Sequence, residues 1–158
     1  MLNQEFKVKI QSSLSICEKH LARMRYAMES LKDVFPISSV TYDSLSSEQI
    51  SHSDQFLFRF TQLQETMGAR LFTLILQGLG ESDHAVPFID MLNRLESFGV
   101  ISSAEKWLDL RELRNLVTHE YPDNKNEHAE SLNELFEQAL YLETTFDNAS
   151  RYIRDRWP

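Results

Sequence analysis

The strongest constraint on the fold is a long helical stripe near the start of the chain. Its apolar residues alternate in steps of four and three over three heptads: Ile10, Leu14, Cys17, Leu21, Met24, Met28 and Leu31. This spacing puts them on one face of an α-helix. The core helix of a bundle and the seam of a coiled-coil dimer both fit the pattern. The bundle is favoured because short coiled coils rarely stand alone.

A second stripe predicts another long helix within residues 53–80. Its members are Phe56, Phe60, Leu63, Met67, Leu71, Leu74 and Ile75. We expect Gly78 or Gly80 to close this helix, because glycine accepts the backbone conformation that ends helices. Between the two stripes, Pro36 should end the first helix. The Ser-rich residues 36–52 lack sustained periodicity and predict a loop with at most one short turn.

The remaining patterns are helical as well. Residues 87–99 begin with a proline, which suits a first turn, and end with a glycine. Ser102 with Glu105 three residues later is a capping-box pattern, which predicts the start of the next helix. A last helix should run over about 127–156. Because no stretch predicts a strand, we expect an all-α bundle of four or five helices.

Length and composition limit the class of protein. A chain of 158 residues supports one domain with a real core, so we expect a single helical domain over 1–158. The formal net charge is -8. Such a charge argues against a protein whose whole surface binds nucleic acid, because phosphates are repelled at long range. A local basic groove is still compatible with it.

The chain also carries little that would direct it out of the cytoplasm. Cys17 is the single cysteine, which excludes an intrachain disulfide and suits a reducing compartment. The first twenty residues hold no apolar run, so we expect no signal peptide. The most apolar window, residues 71–80, is too short to cross a bilayer. We therefore expect a cytoplasmic protein without a membrane partner.

The stretch "LRELRNLVTHEYPDN", residues 110–124, concentrates chemistry at the end of one predicted helix, which Pro122 should stop. A helical wheel over residues 104–121 predicts a core face made of Trp107, Leu110, Leu113, Leu116 and Val117. An adjoining polar arc of about 140° holds Arg111, Arg114, Asn115, Thr118 and His119. This arc can face solvent, or it can face a second copy of itself across a two-fold axis.

The segment "RNLVTHEY", residues 114–121, resembles the motif of the HEPN superfamily: an arginine, four residues, a histidine, one residue and a tyrosine. More narrowly, it is similar to the HepT-like toxins of HEPN–nucleotidyltransferase toxin–antitoxin pairs. Asn115 matches the polar residue that usually follows the arginine. At the level of helix order the resemblance covers most of the chain, and it implies an all-α fold with the motif near the end of an internal helix.

The resemblance implies a metal-independent endoribonuclease that acts as a homodimer and needs no cofactor. His119 would be the general acid or base, a role that suits an imidazole, which titrates near neutral pH. Arg114 would clamp the scissile phosphate, and Asn115 would orient the imidazole or the phosphate. Tyr121 would be the residue to which the partner nucleotidyltransferase antitoxin transfers AMP.

Each of these residues also has a plain structural interpretation. Histidines are favoured near the C-termini of helices, Arg114 could be a surface arginine paired with Glu112 or another carboxylate, and Tyr121 could cover the end of the core. Two further functions fit the whole chain. One is a non-catalytic HEPN accessory or substrate-binding subunit of a nucleotidyltransferase, and the other is an interaction bundle, which the acidic charge favours.

Overall fold

The computed structural model describes residues 3–81, 86–119 and 124–158, and within them every regular element is helical. The all-α prediction is confirmed. The helices are α1 (Gln4–Leu31), α2 (Ser39–Asp43), α3 (Ser47–Thr66), α4 (Phe72–Gly78), α5 (Phe88–Ser97), α6 (Ala104–Thr118) and α7 (Lys125–Arg156). Within the described ranges, none of these helices combines the length and the apolar character needed to cross a bilayer.

A π-helical turn, Met67–Leu71, joins α3 to α4 without a break, so the described chain forms six helical rods. We call the continuous unit from α3 to α4 the central rod. A π turn holds one residue more than an α turn and therefore shifts the face that follows it. Phe60 and Leu63 before the turn and Phe72 and Ile75 after it are all buried, whereas Leu74, a member of the predicted stripe, is only partly buried. The face of α4 that enters the core is therefore shifted from the predicted one.

The seam between α1 and the central rod is the largest packing surface of the bundle. The two run antiparallel, since Tyr26 meets His52 near one end of the seam while a Cβ on Gly78 would touch Phe6 at the other. Most of the predicted α1 stripe is buried along this seam, with Ala27 buried where Met28 is only partly so. Because the stripe is covered within the chain, the bundle interpretation is confirmed over the coiled-coil dimer.

The other long helix, α7, packs against α1 in the opposite direction. Arg154 donates to Glu18 at 2.9 Å, and Arg25 forms an ion pair with Glu143. The shorter helices α5 and α6 pack beside the central rod, where the ring of Trp107 lies 4.8 Å from that of Phe72. The long helices thereby form a scaffold to which α6 is attached.

The predicted loop over residues 36–52 is too long. Ser38 caps α2 by accepting from the Thr41 N–H at 3.1 Å. Ser46 starts α3 with a complete capping box, in which its hydroxyl accepts from the Gln49 N–H and the Gln49 side chain accepts from the Ser46 N–H. Serine satisfies unpaired amides at helix starts, so a Ser-rich stretch can mark two helix starts in place of one loop.

The first helix ends at Leu31, well before the predicted end at Pro36. The start of α6 differs from its prediction by one residue. The predicted cap Ser102 is wrong, because Ser103 accepts from the Lys106 N–H at 3.1 Å and begins α6 one residue later. The glycine ends are confirmed. Gly80 has φ 78° just after α4, and the N–H of Glu81 returns to the Leu76 carbonyl at 2.8 Å. Gly99 has the same φ after α5.

Cys17 provides a probe of this packing, because its thiol is fully buried in the α1 seam. Burial, with a smaller contribution from the adjacent Glu18 carboxylate, raises the pKa of Cys17 to about 12. The folded pKa is raised, so this contribution to stability is present at neutral pH and is lost as pH rises from about 8.5 towards 12. At mildly alkaline pH we expect a thiol reagent such as DTNB to label Cys17 no faster than the protein unfolds globally.

Labelling in denaturant serves as the control, since the exposed thiol should then react at once. Rapid stoichiometric labelling of a protein whose circular dichroism is unchanged would contradict the buried position of Cys17.

Candidate functional site

The face that α6 buries differs from the predicted one. Trp107, Leu110, Arg114 and Val117 are buried, whereas Leu116, which the helical wheel put in the core, is 56% exposed. Leu113 is only partly buried. The buried positions follow one another in steps of three, four and three, so a guanidinium occupies a place in the core line of the helix. The prediction for Leu116 is therefore wrong.

Arg114 can occupy this place because the central rod supplies a counter-ion. Its Nη1 donates to Oε1 of Glu65 at 2.8 Å, and Arg114 is 7% exposed while the Glu65 side chain is 57% exposed. Buried arginines need such a partner, since an uncompensated buried charge is strongly unfavourable. Arg114 Nε has no hydrogen-bond partner among the described residues. The guanidinium is thus fixed at one edge and has a donor left over.

The other motif residues lie at the exposed end of α6. The helix ends at Thr118, and His119 follows with a non-helical backbone (φ -95°, ψ 72°) while its N–H still reaches the Asn115 carbonyl at 3.0 Å. Asn115, Thr118 and His119 are exposed. The predicted polar arc is therefore wrong at two points, because Arg114 is buried and His119 has left the helix.

Of the four predicted site residues, the structure describes three. Arg114 and Asn115 share the last turn of α6, and His119 caps it. Tyr121 lies outside the described residues. Among the described residues, no three His, Cys, Asp or Glu side chains are grouped so that they could hold a metal ion. The site is therefore one helix end with a buried guanidinium on its inner side.

A cavity of about 460 Å³ lies between the central rod, α5 and α6, and Arg114 is part of its wall. Its aromatic side is formed by Phe88 and Trp107, and its polar side by Gln64, Glu65, Arg111 and Arg114. The Arg111 guanidinium lies over the Phe88 ring, 5.1 Å from the ring centroid. The volume is within the range of small-molecule pockets. Asn115 and His119 do not line it.

The sequence contained a signal for this cavity that the motif obscured. Gln64 stands one helical turn after Phe60 and beside Leu63, so it lies on the apolar face of its own helix. A polar side chain in such a position is expected to have a hydrogen-bond partner or a role in binding a ligand. Glu65, the next residue, looked like an ordinary surface carboxylate, because its partner Arg114 is 49 positions away.

We expect Arg114→Met to change the free energy of unfolding by less than about 1 kcal/mol. Methionine keeps most of the buried stem of Arg114, and Glu65 is exposed enough to be solvated once the ion pair is gone. Arg114→Ala should cost about 1–3 kcal/mol because it leaves a cavity. Urea denaturation followed by circular dichroism measures both changes. A loss above about 3 kcal/mol in the Met variant would instead make Arg114 a structural requirement.

Comparison with known proteins does not identify the site. No protein-family model matches the chain, and neither a curated protein nor a solved structure matches it. The resemblance of residues 114–121 to the HepT-like motif therefore stays an expectation that experiments on this site must decide.

Proposed function

We propose that the protein is a metal-independent endoribonuclease of the HepT-like kind, which cleaves RNA at a site built from two copies of the α6 end. The observation that carries this proposal is the state of Arg114. Its guanidinium is held by Glu65, and Arg114 is part of the wall of an open cavity. A guanidinium fixed in the wall of a cavity is suited to binding a phosphate.

The proposed chemistry needs only acid, base and electrostatic stabilisation. His119 takes the proton of a ribose 2'-hydroxyl, whose oxygen attacks the adjacent phosphorus. Arg114 donates to the phosphate oxygens, on which negative charge develops. The 5'-oxygen leaves and takes a proton from a second imidazole, so the products are a 2',3'-cyclic phosphate and a free 5'-hydroxyl.

A second copy of the chain is part of this proposal because each α6 end carries one histidine, His119. Two exposed α6 ends that meet across a two-fold axis would supply one imidazole as the base and the other as the acid. Asn115, exposed one turn before His119, would orient the imidazole or the phosphate. The net charge of -8 opposes RNA at long range, so binding would depend on Arg111 and Arg114 at close range.

We expect purified protein to cleave single-stranded RNA in the presence of a metal chelator and to leave 2',3'-cyclic phosphate ends. Arg114→Met and His119→Ala should each lower kcat/KM by at least about 100-fold, the size expected when a charge-stabilising donor or an acid–base group is lost. Arg114→Met is preferred to alanine because it should keep the fold. Gel assays and end-group analysis by mass spectrometry measure the outcome.

The matched controls are Arg154→Met on α7 and His52→Ala on α3, which change the same residue types away from α6. Both should retain wild-type cleavage. Retained cleavage in His119→Ala would assign the activity to another site or to a contaminant.

The composite site is tested separately by mixing. Excess His119→Ala protein, refolded together with wild type, should lower activity below simple dilution, because a mixed dimer lacks either its acid or its base. Activity that falls only in proportion to dilution would contradict a shared site.

We propose that Tyr121 is the site of neutralisation by a partner nucleotidyltransferase. Its phenol oxygen would attack the α-phosphate of ATP, releasing pyrophosphate and a proton and leaving AMP on the tyrosine. The added phosphate would repel RNA and compete for Arg114, since both groups are anionic. Tyr121→Phe should stay an active ribonuclease that the partner cannot silence.

Intact mass spectrometry after incubation with the partner, ATP and magnesium should show AMP-sized additions on wild type and none on Tyr121→Phe. Equal modification and silencing of the Phe variant would contradict this role. A wild type that binds the partner but cleaves no RNA would favour the alternative function as a non-catalytic subunit.

A further inference from the structure

Gln64 is a buried side chain with two unpaired polar atoms, more than any other side chain in the described part of the chain. It is 3% exposed, and neither its amide nitrogen nor its amide oxygen has a hydrogen-bond partner among the described residues. Buried amides are nearly always paired, because burial removes the water that would otherwise satisfy them. Gln64 is one of the residues that line the cavity beside Arg114, so its unpaired amide belongs to the wall of a space that a ligand can enter.

Gly68, one turn further along the central rod, leaves room in the same cavity. A Cβ there would stand 3.6 Å from Phe88 Cζ and 3.8 Å from Trp107 Cζ2, so the missing side chain opens a gap between the two rings. Gly68 also belongs to the π turn, and π turns occur often at functional sites. The gap is walled by aromatic carbon, which suits a flat ring.

Besides the Gln64 amide and the gap at Gly68, the cavity contains charged groups. Arg111 and Arg114 bring two guanidiniums to the wall, and Glu65 brings one carboxylate, which is already engaged by Arg114. A ligand that fits all three features has a flat ring, a neighbouring donor and acceptor on the edge of that ring, and an anionic group. Nucleotides have this combination, and a glutamine amide can pair with a base edge through two hydrogen bonds.

We propose that this cavity is a nucleobase pocket in which the Gln64 amide reads the edge of one base while Arg111 and Arg114 hold the adjoining phosphate. The assignment of RNA as the source of that base rests on the proposed ribonuclease function. Gln64 is then a specificity-determining residue, and it makes the enzyme prefer certain bases beside the cleaved bond.

Titration calorimetry of the whole protein with the four nucleoside 5'-monophosphates tests the pocket without requiring cleavage. We expect at least one of them to bind, and ribose 5-phosphate, which lacks the base, to bind at least about tenfold more weakly. Gln64→Leu should weaken nucleotide binding at least about tenfold and leave thermal stability unchanged or raised, because it removes an unpaired buried amide. Gln77→Leu, at an exposed position on α4, is the matched control and should bind as wild type does.

Gly68→Ala is a second variant that does not depend on Gln64. Its methyl group makes ordinary contacts with Phe88 and Trp107, so the fold should be retained while the gap narrows and binding weakens. Absence of binding by every nucleotide at about 1 mM would overturn the pocket. So would equal binding of ribose 5-phosphate, or wild-type affinity in both Gln64→Leu and Gly68→Ala.

Cleavage assays on RNAs that differ in one base distinguish the source of the base. A base preference that Gln64→Leu abolishes, with cleavage retained, supports RNA in the pocket. Nucleotide binding with no cleavage of any RNA would keep the pocket and overturn the proposed ribonuclease. Cleavage whose base preference and rate are the same in Gln64→Leu would overturn RNA as the source of the base and keep the ribonuclease.

Discussion

The antiparallel seam between α1 and the central rod is the contact on which the other helices depend. It buries one face of the rod along its length, and α5 and α6 pack beside that rod. Burying apolar surface provides most of the driving force for such a bundle. Because the rod is held by α1, the adjoining surface that faces α5 and α6 can carry groups that weaken packing, including Gln64 and Gly68.

The buried polar groups on that surface, Gln64 and Arg114, do not add to the stability of the fold, and this suggests that they serve a function. An unpaired buried amide or hydroxyl costs about 1–3 kcal/mol, and Gln64 leaves both a donor and an acceptor unpaired. The ion pair between Arg114 and Glu65 adds little net stability, because desolvation of Arg114 offsets its attraction to Glu65, which is itself exposed to solvent. A bundle selected for stability alone would favour apolar residues at Gln64 and Arg114. Their presence is what a site for a ligand would produce.

The repeated spacing of apolar residues was sufficient to predict the long helices, because that spacing is local, but it missed α2 and the first turns of α3. The same reasoning predicted that Leu116 is buried and Arg114 exposed, and the structure shows the reverse. On a helical wheel the apolar side chains are assigned to the core, and the wheel contains no information on Glu65, the distant carboxylate that allows Arg114 to be buried. The capping-box pattern favoured Ser102, because Glu105 follows it by three residues, whereas Ser103 is the residue that caps α6. The motif residues Arg114, Asn115 and His119 were found by their spacing, whereas the cavity depends on three helices whose arrangement no short segment encodes.

The π turn at Met67–Leu71 has a consequence for the length of the chain. It accommodates one residue more than an α turn does, so it sets which face of α4 packs against the core. Deleting any one residue there would restore a regular α-helix and rotate all of α4 by about 100° about its axis. Phe72 and Ile75, which are both buried on α4, would then leave the core together. A substitution in this turn would therefore affect only the local packing, whereas the deletion of a single residue would reorient the whole of α4.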